Sequence, residues 1–348
     1  MTTTKDEFEL RDPRRVDSAA VEALDTALAA ACGVPKARVL HAIDPRRILS
    51  FEAGGPAVWS VAVATGAGQV PYHLYVTYGL SGSVDPRRHE QGLEHELSIR
   101  IPAASAEPPL WPTLLLRHLG RYVLTSRRPL RVGEVMPLFA PLSRAALAPE
   151  LRAGQPDSRL TGFLVGGDSQ LRSVTTYKGP IEIRRIYGID EAERLLIERW
   201  SVAGFGGQIA GRDPTLTTDL DRPSWADDAA IVSAIDDGAE REGSSTTAMA
   251  LPGVRWERSR DAWTIRLPGG DAACHLAAVL AGRLPHGRHL LVHDLEPTPQ
   301  TQVALVPAEE LSVHEERGVL VLGMPSDSFY LKMLAGGEKG YEWVFRDG

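Results

Sequence analysis

Cysteine is scarce in this chain. Cys32 and Cys274 stand alone, far apart and outside any CxxC pair, which argues against a disulfide framework or a cysteine-based zinc site and makes a reducing compartment the default. Long apolar runs are missing too. No stretch approaches the roughly 18 residues that a membrane span needs, and the opening Met-Thr-Thr-Thr-Lys-Asp-Glu has acids where a signal peptide carries a basic flank. A cytoplasmic protein with no membrane partner is expected. Excess positive charge is absent as well: the formal net charge is −7, and the pairs Arg14-Arg15, Arg46-Arg47, Arg87-Arg88, Arg127-Arg128 and Arg184-Arg185 are scattered along the chain. A nucleic-acid binder gathers such residues into a basic face, so no nucleic-acid partner is expected. What remains is an ordinary globular composition. With 348 residues and 43% hydrophobic content, there is enough material for about two domains.

The chain is organised around residues 72–130. Tyr72–Tyr78 and His95–Ile101 read as strands rich in β-branched and aromatic residues. Pro108-Pro109-Leu110-Trp111-Pro112 then turns the chain into a helix, Pro112 fitting the first helical position because a missing N–H costs nothing there. Leu115, Leu116, Leu119, Tyr122 and Val123 form its apolar stripe. Upstream, residues 1–15 are a polar tail, and Val16–Ala31 reads as a helix stopped by Gly33-Val34-Pro35. Strands are expected at Leu49–Phe51 and Ala57–Val63. Downstream, they are expected at Leu160–Val165, Val174–Thr176 and Ile181–Ile186, with a helix over Glu191–Arg199. The acid and small-polar content of residues 226–252 reads as a linker, with one helical turn near Ala229–Ile235. Beyond it, a smaller unit alternates strands at 254–256, 263–267, 289–293, 302–306 and 318–322 with helices at 272–282 and 327–334. The fold class is α+β: two domains, 16–225 and 253–348, each a mixed, mostly antiparallel sheet flanked by helices.

Catalytic patterns are weak. His89-Glu90 and His95-Glu96 lack the HExxH spacing that puts two imidazoles on one helical face. His286, His289 and His293 lie partly on a strand whose ends are about 13 Å apart, too far to chelate one ion. Ser81 sits in a turn without a nucleophile elbow, and Gly204-Phe-Gly-Gly207 is out of phase with a phosphate cradle. Cys274 reads as a buried or half-buried small hydrophobe on a helix. No catalytic residue, metal or cofactor is assigned. A binding protein is the leading reading, and an enzyme with an unrecognised site is one alternative.

Tyr75-Val-Thr-Tyr-Gly-Leu-Ser81, Glu96–Ile101, Pro108-Pro-x-Trp-Pro112, Gly120-Arg-Tyr-Val123 and, much later, Ala281-Gly-Arg-Leu-Pro-His-Gly-Arg-His289 resemble, in order and spacing, the suppressor of fused family. The resemblance runs from about Arg38 to the C-terminus, across both domains. It implies two domains that clamp an extended peptide between them, adding it as a strand. By similarity the partner-binding residues are Tyr75, Thr77 and Asp85 on the first domain, with Cys274, Ala278, Arg283 and Arg288 on the second. Cys274 and Ala278 replace an acid and a large aliphatic residue of animal members. The animal ligand is therefore not expected here, and the long insertion of those proteins is shortened to a linker. The Ala- and Arg-rich, short-looped chain resembles bacterial members. That implies an immunity protein neutralising a polymorphic toxin, with a basic toxin suiting the negative net charge. The alternative is an intracellular scaffold that sequesters an endogenous protein.

Overall fold

The computed structural model describes residues 18–41, 60–66, 70–81, 95–126, 128–138, 140–145, 157–171, 173–295, 298–326 and 341–346. The expected strand at 49–51, the helix at 327–334 and Asp85 lie outside these residues. The chain divides into two compact units, Met1–Glu191 with Ala210–Pro223, and Ala192–Ile209 with Ser224–Gly348.

The first unit contains α1 (Ser18–Cys32), β1 (Leu40–His41), β2 (Ser60–Gly66), β3 (Tyr72–Tyr78), β4 (His95–Pro102), α2 (Trp111–Ser126), β5 (Val135–Pro137), β6 (Leu160–Gly167), β7 (Ser173–Thr176) and β8 (Gly179–Asp190). The strands form one sheet in the order β1-β2-β3-β4-β8-β6-β5, with β7 also on β8. Every pairing is antiparallel except β4 with β8. Side chains alternate between the faces. Tyr75, Leu97, Ile99 and Ile101 meet Trp111, Leu115, Leu119 and Val123 of α2. On the other side Leu74, Val76, Tyr78, Ile181 and Ile183 meet Leu24, Leu28 and Cys32 of α1. With helices on both faces, β3 is buried at every position, which explains its unbroken run of large residues.

The second unit contains α3 (Glu191–Arg199), α4 (Val202–Ala210), α5 (Ala229–Glu242), β9 (Ala248–Ala250), β10 (Arg255–Arg258), β11 (Ala262–Leu267), α6 (Gly270–Ala281), β12 (Leu290–His293), β13 (Gln302–Pro307), β14 (Ser312–Glu316), β15 (Val319–Met324) and β16 (Tyr341–Arg346). These strands make a three-stranded sheet, β10-β11-β16, and a five-stranded sheet, β14-β15-β13-β12-β9. Their facing sides, with Trp256, Trp263, Ile265, Val303, Leu305, Leu320 and Leu322, enclose one core that Leu276 and Leu280 of α6 complete.

Where the sequence reads as a linker, the structure has a helix and a strand. Asp228 caps α5 by accepting from Ala230 and Ile231, Ile231 and Ile235 are buried, and Gly243 at φ +74° ends the helix. Its Gly238 lies against Trp200, and so does Gly204 of α4. A Cβ would fall 2.3 Å from the indole at the first position and 2.4 Å at the second. Of the acids that suggested a solvated linker, Asp236 and Asp237 lie on this docked helix and Asp228 caps it. The glycine run 204–207 is likewise helical, packed on an aromatic ring at its first position. Among the described residues, no helix is long and apolar enough to cross a membrane.

Candidate functional site

The residues expected to bind a partner fall into two groups with different fates. In the first unit, Tyr75 is buried in the α2-facing core and its hydroxyl donates to the Pro109 carbonyl at 2.7 Å. Burial pushes the phenol's pKa above its usual range. Thr77 is also fully buried, its hydroxyl donating to Glu96 Oε2 at 2.7 Å and accepting from the Leu97 N–H at 2.8 Å. Neither side chain faces solvent. Both support the β3 end from within.

Thr77 belongs to a network around the fully buried Glu96. The carboxylate also accepts from the N–H groups of Gly79 (2.9 Å), Leu80 (3.2 Å) and Ser81 (3.0 Å) and from the Ser81 hydroxyl (2.6 Å). Burial raises the pKa of this acid, while the hydrogen bonds pull the other way. Ser81 is thus a ligand of a structural carboxylate. A second buried network has Asp168 at its centre, accepting from Arg185 Nε at 3.1 Å, from Ser98 at 2.9 Å and from the Gln170 and Leu171 amides at 2.9 Å. Arg100 and Arg185 both donate to the Thr215 carbonyl, tying the returning segment to the sheet. Burial alone would raise the Asp168 pKa, but Arg185 and the amides outweigh it and hold it below its ordinary value.

In the second unit two of the expected residues, Arg283 and Arg288, meet at one junction. Arg283 is buried and donates from Nε to the His289 carbonyl (2.7 Å) and from Nη1 to the Ser244 carbonyl (2.9 Å). Arg288 Nη1 donates to the same Ser244 oxygen at 3.0 Å. The Ser244 N–H donates to the Gly282 carbonyl at 2.6 Å, and its hydroxyl donates to the Glu198 carbonyl at 2.6 Å. Thr246 adds a second hydroxyl to that Glu198 carbonyl at 3.0 Å. The Glu198 carboxylate meets His275 Nε2 of α6 at 2.5 Å and pairs with Arg194. Arg283 and Arg288 therefore act as clamps on Ser244, and Ser244 fixes where β9 begins.

β9 is an end strand. It pairs in parallel with β12, the Leu291 N–H donating to Thr247 and the Leu251 N–H to His293. In such a ladder Met249 bonds β12 with both its groups, so Ala248 and Ala250 point their N–H and C=O away from the sheet. Both residues are exposed, and among the described residues no hydrogen bond to their main-chain groups is present on that side. Cys274 and Ala278, one helical turn apart on α6, are exposed and half-buried. The expected burial of Cys274 is corrected: the buried neighbour is His275. Reading the sequence missed β9, Ser244 and Glu198. A three-residue strand has too short an alternation to register, and the run of hydroxyl residues before it resembles a linker.

The fold and the junction define a two-unit α+β protein whose five-stranded sheet ends, among the described residues, in an anchored and unpaired edge at β9. The model of the family "Suppressor of fused protein (SUFU)" matches residues 47–223, half of the chain, up to the last residue of the first unit. The chain belongs to the suppressor of fused family. It is 27% identical over 226 residues to the human suppressor of fused homologue, covering 58% of this chain and 44% of that protein. The mouse homologue is 28% identical over 199 residues, 52% of this chain and 39% of that protein. The chain thus spans less than half the length of these relatives. Drosophila suppressor of fused superposes with a TM-score of 0.64 at 17% identity, covering 91% of this chain and 89% of that one. A crystal structure of a Sufu–Fu complex gives 0.50 at 19% identity, covering 62% of this chain and 97% of that one. At these identities the superpositions establish the fold.

Proposed function

We propose that this protein is a non-catalytic binding module that captures an extended segment of a partner protein on the outer edge of β9. Main-chain hydrogen bonds from Ala248 and Ala250 supply affinity, and the neighbouring side chains select the sequence. The observation that carries this reading is the pinned, unpaired edge itself. An edge held by Ser244, Arg283 and Arg288 is ordered before the partner arrives, which lowers the entropy cost of strand addition. A family relative crystallised as a Sufu–Fu complex supports a protein partner. The small side chains of Ala248 and Ala250 leave room for a close approach. The net charge of −7 suits a basic partner by steering its approach. On the bacterial resemblance, that partner is a toxin and this chain its immunity protein.

The test is an affinity pull-down from the native host, read by mass spectrometry, with wild type beside Ala250→Pro. Proline removes the outward N–H of Ala250 and leaves the Met249 and Leu251 bonds to β12 in place. Recovery of one secreted, basic protein by wild type and its loss by the variant supports the proposal. An intracellular regulator in its place makes the protein a sequestering scaffold, and equal recovery by both proteins overturns the β9 site.

A further inference from the structure

The five-stranded sheet has a second edge, β14, whose chemistry is the opposite of that of β9. Among the described residues, 312–316 pair only with β15, joined to it by the two-residue turn Arg317-Gly318 with φ +52° and +81°. Such a turn closes on a hydrogen-bonded pair, here Glu316 with Val319, and bonded and non-bonded pairs then alternate along the hairpin. His314 and Ser312 therefore bond β15, while Val313 and Glu315 direct their N–H and C=O outward. Among the described residues nothing pairs with that side. Ser312, His314, Glu315 and Glu316 are exposed, and Val313 packs on the core, so the strand is anchored through one residue and open along its edge.

The edge carries carboxylates. Glu315 and Glu316 lie on it, and Glu309 and Glu310 lie in the turn that leads into it, all exposed. Between residues 302 and 326, Arg317 at the hairpin tip is the one Arg or Lys, with His314 on the strand itself. Among the described residues no cation pairs with any of the four acids. Two copies of this edge laid together would bring their carboxylates into apposition, which disfavours self-pairing. A strand with Lys or Arg at alternate positions meets the opposite situation: main-chain bonds to Val313 and Glu315, and ion pairs with acids otherwise solvated.

We propose that β14 is a second docking edge, which takes an extended, lysine- or arginine-rich segment of a partner protein as a sixth strand of this sheet. The test uses a fluorescein-labelled ten-residue peptide of alternating lysine and threonine, and its glutamate counterpart, against the full chain. Anisotropy gives affinity, and backbone amide exchange gives location. The lysine peptide binds in low salt, protects the amides of Val313 and Glu315, and the glutamate peptide does not bind. Glu315→Gln removes a charge and keeps the strand, weakening binding a few-fold, whereas Glu315→Pro removes an outward N–H and weakens it about tenfold or more. Glu315→Lys needs no change in backbone and, by putting a positive charge where the lysine peptide lies, weakens its binding more than Glu315→Gln does. Absence of lysine-peptide binding, binding that Glu315→Pro and Glu315→Lys leave intact, or protection elsewhere overturns the proposal. The acids then serve only to keep copies apart.

Discussion

Glu96 is a carboxylate surrounded by five donor groups, from Thr77, Gly79, Leu80 and Ser81. Glu96→Gln turns one acceptor into a donor facing donors, and a loss of about 1–3 kcal/mol is expected, read as a lower urea midpoint with an unchanged slope. The pH dependence separates the buried acids by sign. Asp168 and Glu198 sit below their ordinary values of 3.8 and 4.5. Burial raises both, but Arg185 overrides it at Asp168, and His275 and Arg194 override it at Glu198. Each contributes stability that is present above the unfolded value and lost as pH falls through the folded one. Glu96 is raised by burial, so its contribution is present below its unfolded value and lost as pH climbs through the folded one. Urea midpoints should therefore fall as pH drops below about 4. Replacing Asp168 by Asn should flatten that acid limb, at a cost of about 3–5 kcal/mol at neutral pH for a buried pair left with Arg185 uncompensated. An acid limb of the same steepness in that variant would remove Asp168 from the account.

Glycine in α4 offers a test at the scale of one element. Gly204 faces Trp200, where a Cβ would sit 2.4 Å from the ring, while Gly206 and Gly207 have nothing within 4 Å. Gly206→Ala should stabilise the protein by about 0.5–1 kcal/mol through helix propensity. Gly204→Ala should lose about 1–3 kcal/mol, because overpacking against a buried indole exceeds that gain. A thermal melt orders the variants as Gly206→Ala, wild type, Gly204→Ala. Equal gains in both variants would mean that Trp200 does not need the glycine. These elements also show how far the sequence could be read. The helix at 111–126 was legible from its apolar stripe and its proline, and β3 and β4 from their β-branched and aromatic content. Of α5 only the turn near Ala229–Ile235 was legible, because Asp227, Asp228, Asp236 and Asp237 suggest a solvated segment and its anchor, Trp200, lies well upstream in the sequence. Arg283 and Arg288 were singled out as partner-binding residues through resemblance. Their role as clamps was invisible without Ser244, whose position depends on tertiary contacts that no local pattern encodes.

At the scale of the whole molecule, the first unit is a sheet covered by a helix layer on each face, and its buried acids are engaged in holding turns and returning segments. The second unit exposes two edges of one sheet, small and neutral at β9, acidic at β14. That asymmetry is the structural basis of the proposed role, capture of extended segments of partner proteins. Backbone amide exchange of the chain, alone and bound to the partner recovered from its host, tests the claim most directly. Slower exchange at Ala248 and Ala250 in the complex is the expected result. Unchanged exchange along β9 with the partner bound would contradict it.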